Sequence, residues 1–304
     1  MLRVGVSFPR SAHSSPRWPP AFDRGRCAVY DSATFLSILA QALRMTWKLP
    51  SCDHHVYRRN PIRTVVIQLR FHPILKVGDG VPNFQEAVRH LFPSFSEGKA
   101  RHVNLDIQGS GFRVQEERFY EFSTVDGSAA LKLSQGALAF EVKRHQHKEE
   151  LCSRFGVACS ALASAFSNIS PTRLGLRYIN VLDRQQIESE LGRQVSWGEL
   201  ISDGFLPIPN DLLDLNETLF GSEISSALEP GTLTLRYGLL REAPSEMQPK
   251  FRFDVDRYME APLDFTRVGE QVAMFAEDIY RLYQTAILEP VREWMRNEGE
   301  ADAR

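Results

Sequence analysis

The stretch Thr64-Val65-Val66-Ile67-Gln68-Leu69-Arg70-Phe71 sends Val65, Ile67, Leu69 and Phe71 to one side of the chain and Thr64, Gln68 and Arg70 to the other. A period of two is the mark of a strand buried on one face only. The pattern returns at Val103–Gln108, where Val103, Leu105 and Ile107 oppose Asn104, Asp106 and Gln108. It returns again at Ala137–Lys143, with Leu138, Phe140 and Val142 inward, and at Thr172–Leu182, with Leu174, Leu176 and Tyr178 sharing a face. Further strands are expected at Phe112–Thr124, at Ala129–Leu133 and at about 216–228, 232–241 and 250–259. Gly109-Ser110-Gly111, Asp126-Gly127, Gln135-Gly136 and Pro230-Gly231 supply turns between them.

Between these runs the apolar period changes to that of a helix. Phe84, Val88 and Leu91 predict a helix over Asn83–Phe92, with Asn83 as N-cap and Pro93 beyond its end. A longer helix is expected over about 147–168 along Leu151, Phe155, Ala158, Leu162, Ala165 and Phe166. A third, over about 269–296, carries Val272, Phe275, Ile279, Leu282, Ala286 and Trp294, with a kink at Pro290. Residues 184–215 read as a less regular insertion with short helices.

Meanders of strands followed by long helices define an α+β protein. The plan occurs twice, in 45–170 and in 171–304, as an internal duplication would produce. The two units either stand apart or share one continuous curved sheet. In both arrangements the helices cover one sheet face and the other face stays polar.

Composition places the 304-residue chain among ordinary globular proteins, 43% hydrophobic and 24% charged. No apolar run approaches the roughly 20 residues of a membrane span, so a soluble, cytoplasmic protein is expected. Cys27, Cys52, Cys152 and Cys159 are too few and too irregularly spaced for a disulfide scaffold, and are read as reduced thiols. Residues 1–44 hold six arginines against Asp23 and Asp31, and are read as a non-native or disordered extension ahead of a start at Met45. The remainder carries 30 basic and 36 acidic residues, a balance that disfavours general affinity for nucleic acid.

The run Thr172-Arg173-Leu174-Gly175-Leu176-Arg177-Tyr178-Ile179-Asn180 resembles the hallmark segment of a sporadically distributed bacterial protein family of unknown function. Asn60-Pro61-Ile62, Leu69-Arg70-Phe71-His72-Pro73 and the Phe251–Arg257 strand with its closing helix resemble that family too, so the likeness spans about 55 to 296. The resemblance implies a start near Met45 and nothing about activity. The patchy occurrence of the family implies mobile loci of the phage-defence or toxin–antitoxin type, and with them a protein partner encoded nearby.

Arg70, Arg177, Arg236 and Arg252 each stand between apolar neighbours inside a strand, on its polar side. Together with Asn180, Asp254 and Asp256 they are the candidate ligand-binding residues, since guanidinium forks grip anionic or planar groups. The competing explanation is cross-strand ion pairing on a solvated sheet. His145 and His147 stand beside a charged strand-to-helix junction without a second Cys or His cluster, and His54-His55 are equally isolated, so no metal is expected. Glu149 and Glu150 suit the positive start of the helix that follows. Nucleophile-elbow, phosphate-loop, dinucleotide and zinc-protease motifs are absent, and no cofactor is expected. The sequence therefore favours a non-catalytic interaction or ligand-binding protein that uses the polar sheet face. The alternatives are a nucleic-acid binder and an enzyme built from scattered Arg, Asp and Glu.

Overall fold

The computed structural model describes residues 46–55, 57–105, 112–143, 145, 147–207, 214–215, 218–241 and 246–296, with side chains described except at 100–105 and 112–115. The extension 1–44, Met45, Cys27, Asp106, Gln108 and the Gly109–Gly111 turn lie outside those residues.

Nine strands form one sheet: β1 (Ile62–Phe71), β2 (Ser94–Leu105), β3 (Phe112–Ser123), β4 (Ala129–Ser134), β5 (Ala137–Val142), β6 (Pro171–Leu182), β7 (Phe220–Ala227), β8 (Thr232–Leu240) and β9 (Lys250–Met259). Their order is β2-β3-β4-β5-β1-β6-β9-β8-β7, and each neighbouring pair is antiparallel. β1 and β6 meet at the centre, each flanked on its other side by the last strand of the meander that follows it. The strands of both halves thus belong to one continuous α+β layer.

Six helices accompany the sheet among the described residues: α1 (Val77–Val88), α2 (Lys148–Ala165), α3 (Arg184–Leu191), α4 (Trp197–Leu200), α5 (Val268–Ala286) and α6 (Glu289–Arg296). α2 packs between α1 and α5, and α5 lies on β6 and β9. Val65, Ile67, Leu69, Leu131, Phe140, Leu174, Leu176 and Val255 are fully buried beneath the helices, in one hydrophobic core. Each such side chain contributes on the order of 1.5–3 kcal/mol by leaving water.

Three expectations are corrected. α1 begins at Val77, and Asn83 lies inside it rather than capping it. Its early turns carry the poor helix formers Gly78, Gly80 and Pro82, which hide it from a propensity reading. Packing explains the exception, because a Cβ on Gly80 would stand 2.3 Å from the Phe166 ring. β2 starts at Ser94, nine residues ahead of its apolar alternation, since as an edge strand it needs only β3 to pair with.

The closing helix is broken rather than kinked at Pro290. Proline has no N–H and its ring clashes with the carbonyl four residues back, here that of Ala286. That carbonyl accepts the Ser202 N–H at 2.9 Å, and Leu288 N–H donates to the Leu200 carbonyl at 2.9 Å. Ile287 bridges Ile201 across the break, so the insertion stitches α5 to α6.

Candidate functional site

The sheet presents two unlike faces. On the one that no described helix covers, register places Arg177 opposite Asp256, and Arg236 opposite both Asp254 and Glu223. Arg177 donates Nε to Asp254 Oδ1 at 2.7 Å and Nη2 to Oδ2 at 2.6 Å. Arg252 Nη2 reaches the same Oδ2 at 3.1 Å. Arg236 Nε donates to Glu223 at 2.9 Å, and Arg173 stands 3.4 Å from Asp256 with its guanidinium over the Tyr258 ring. Further along, Lys132 lies 2.9 Å from Glu141 and 3.7 Å from Glu121.

The candidate residues Arg177, Arg236, Arg252, Asp254 and Asp256 therefore do share a face. Their charges are matched to one another across the strands. The bond to Asp254 holds the Arg177 guanidinium above its ordinary range, whereas burial pushes the Asp256 carboxyl up despite Arg173 and Arg177 nearby. Arg70, exposed near the end of β1, stands opposite Arg173 and shares the Gln68 Oε1 acceptor with it, donating Nε at 3.0 Å. Arg173, not among the candidates, joins the network because it follows the same parity as Arg177.

Asn180 belongs to the other face. It lies two residues from Tyr178, and both point toward the helices, where each is buried. There a cavity of about 270 Å³ opens between β6, α5, the β5–α2 junction and the segment leading into β1. Tyr178, Asn180, His145, Tyr280, Tyr283 and Gln284 are among its walls. Asn60-Pro61-Ile62 borders it as well.

Local chemistry fixes each wall. Asn60 accepts the Ile62 N–H through Oδ1 at 2.9 Å and donates Nδ2 to the His145 carbonyl at 2.8 Å. That contact draws the junction inward, so His145 is partly buried rather than solvated. Its Nε2 lies 3.3 Å from Tyr178 Oη, with the rings edge to face. Tyr57 and Arg292 both donate to Gln284 Oε1, at 3.1 and 3.3 Å, and Arg58 and Arg59 N–H both donate to the Met295 carbonyl. The approach segment is thereby strapped to α5 and α6. Asn180 Nδ2 donates to the Phe253 carbonyl at 3.3 Å, which leaves its own carbonyl as an acceptor.

Gln284 is 7% exposed, and its Nε2 has no partner. Because Oε1 is identified by two donors, one of them a guanidinium N–H, the amide cannot be turned over to satisfy Nε2. An unmet buried donor costs roughly 1–3 kcal/mol.

The tyrosines and His145 of the wall are shifted toward their neutral forms. Burial raises the hydroxyls of Tyr178, Tyr283 and Tyr280 and lowers the His145 imidazole. At the outer end His54 stacks on Tyr280 at 4.7 Å and 6°, and its Nε2 lies 2.6 Å from Glu277. Burial works to raise the Glu277 carboxyl, but bonds from Arg281 and His54 outweigh it and hold the group below its ordinary range. Among the described residues, no three His, Cys, Asp or Glu side chains gather as a metal ion would require. None of the described helices is long and apolar enough to cross a membrane.

No protein-family model matches the chain, and no curated protein matches it. Among solved structures it is similar to the rolling circle replication initiator protein from Geobacillus stearothermophilus at 8% identity, over 79% of this chain and 88% of that one. The TM-score of 0.24 establishes neither a common fold nor a common chemistry.

Proposed function

We propose that the protein is a non-catalytic ligand-binding protein and that its ligand enters the cavity beside α5. The observation that carries this reading is the convergence of Asn60, His145, Tyr178, Asn180 and Gln284 on one cavity. A concave site with apolar walls and a few polar groups of fixed orientation is how small molecules are held. At about 270 Å³ the space suits a small metabolite, being near the low end of the roughly 300–1,000 Å³ common for such sites.

The sheet face fits a ligand less well, because its arginines already meet Asp254, Asp256 and Glu223. An anion arriving there would have to displace carboxylates already in place.

A thermal-shift screen of a metabolite library tests the reading. Wild-type protein is expected to be stabilised by at least one compound, as mass action requires of any ligand that prefers the folded state. Asn180→Leu, at the cavity wall, is expected to lose that response, whereas Arg236→Ala keeps it. Loss of the response in Arg236→Ala with retention in Asn180→Leu would move the site to the open sheet face. A library without any stabilising compound refutes the cavity reading.

A further inference from the structure

Resting on the cavity reading, we infer that the ligand is a planar nitrogen heterocycle of nucleobase size. His54 supplies the leading observation, because its imidazole is itself such a ring, already seated at the cavity's outer end. It lies flat on Tyr280, 4.7 Å between centroids and 6° between planes, and places a ring nitrogen 2.6 Å from a Glu277 carboxylate oxygen. One aromatic face and one carboxylate thus already hold a nitrogen ring in the plane that stacking and hydrogen bonding both require. His54 belongs to the segment ahead of β1, and its side chain is 59% exposed, so a competing ring can replace it at little cost in buried contact.

The inner wall continues the same chemistry. Tyr178 and His145 present further aromatic surface, and the Asn180 side-chain carbonyl offers an acceptor. A side-chain amide carbonyl accepts from the ring and exocyclic N–H groups at the edges of purines and pyrimidines. Every ring of this class has a π-face for stacking, which makes the aromatic walls tolerant of its identity.

Charge argues against an anion. Arg59 pairs with Glu190, His54 with Glu277, and Lys148 is followed at the start of α2 by Glu149 and Glu150. A phosphate would therefore meet two carboxylates, Glu149 and Glu277, beside the two permanent cations of the lining, Arg59 and Lys148. A sugar would leave the flat Tyr280 surface with fewer matched contacts, although its hydroxyls could use the amides.

The test is saturation-transfer NMR on the full chain with adenine, cytosine and uracil, and with glucose and inorganic phosphate as separate arms. At least one base is expected to bind. Glu277→Gln and Tyr280→Ala are expected to weaken it, the latter by roughly tenfold or more. Arg177→Ala, on the opposite sheet face, is expected to leave it unchanged. Binding of glucose or phosphate without any base overturns the heterocycle and leaves the cavity reading standing. Silence from every base also overturns it, and the library screen then decides the cavity reading separately. Equal affinity in wild type and in both Glu277→Gln and Tyr280→Ala would remove the proposed stacking site.

Discussion

Arg177 grips Asp254 through two parallel hydrogen bonds, with the carboxylate 1% exposed and the arginine side chain 39% exposed. The pair joins the neighbouring strands β6 and β9 on the face that no described helix covers, and the buried member is the acid. Removing Arg177 leaves Asp254 with the Nη2 contact of Arg252 alone. Arg177→Met should therefore cost about 2 kcal/mol in urea unfolding, a discount on the roughly 3–5 kcal/mol of a fully buried broken pair because water reaches the arginine. Arg177→Met combined with Asp254→Leu should recover much of that loss, and additive losses would show that the two side chains act independently.

The two faces of the sheet should differ sharply in tolerance. Leu176 and Leu131 are fully buried, and an aspartate at either should cost several kcal/mol and prevent stable folding. Arg70, exposed at the end of β1, should tolerate alanine within about 0.5 kcal/mol. Circular dichroism and urea midpoints of the three variants check the contrast.

Arg257 lies on the helix side of β9, fully buried, with Nε 3.0 Å from Asp278 and its guanidinium 4.7 Å from the Phe275 ring. Arg257→Ala should destabilise the protein by about 3–5 kcal/mol, because it strands a carboxylate against the core and opens a void. Replacing both partners by Met and Leu should be far milder. If the single and double variants unfold at the same denaturant concentration, the pair contributes nothing specific.

Acid should weaken the fold partly through His145. Burial holds its imidazole below the ordinary range, although Glu149 and Glu150 oppose the shift and His147 adds to it. The unfolded chain thus takes up a proton that the folded chain resists. Stability from this residue is present above the unfolded pKa of about 6.5 and is lost as pH falls through the lower folded value. Unfolding free energy of the wild type should decline through that window, and His145→Gln should flatten the decline. A parallel profile in both proteins contradicts the assignment.

Much of this architecture is legible as parity. Val65, Ile67, Leu69 and Phe71 announce a face, and the helix stripe from Leu151 to Phe166 supplies what covers it. The same parity puts Arg177, Arg252, Asp254 and Asp256 together. It also separates Asn180 from them, since Asn180 shares its face with Tyr178, not with Arg177. The α1 start is hidden because Gly80 is selected by the Phe166 ring, a contact made from far along the chain. The cavity is hidden for the same reason. Tyr57 meets Gln284, and Tyr280 meets the Asp53 carbonyl, across more than two hundred residues. His145 follows a charged strand-to-helix junction in sequence, and its place at the cavity depends on a bond from Asn60, 85 residues earlier, to its carbonyl.

Isoleucine methyl NMR tests the location of the site most directly. Ile62 and Ile279 line the cavity, whereas Ile179 lies on the opposite face beside Arg177 and across from Asp254. Titration with a deproteinised cell extract should move the Ile62 and Ile279 methyl signals and leave that of Ile179 in place. Movement of Ile179 alone would place the ligand among the paired arginines and contradict the account.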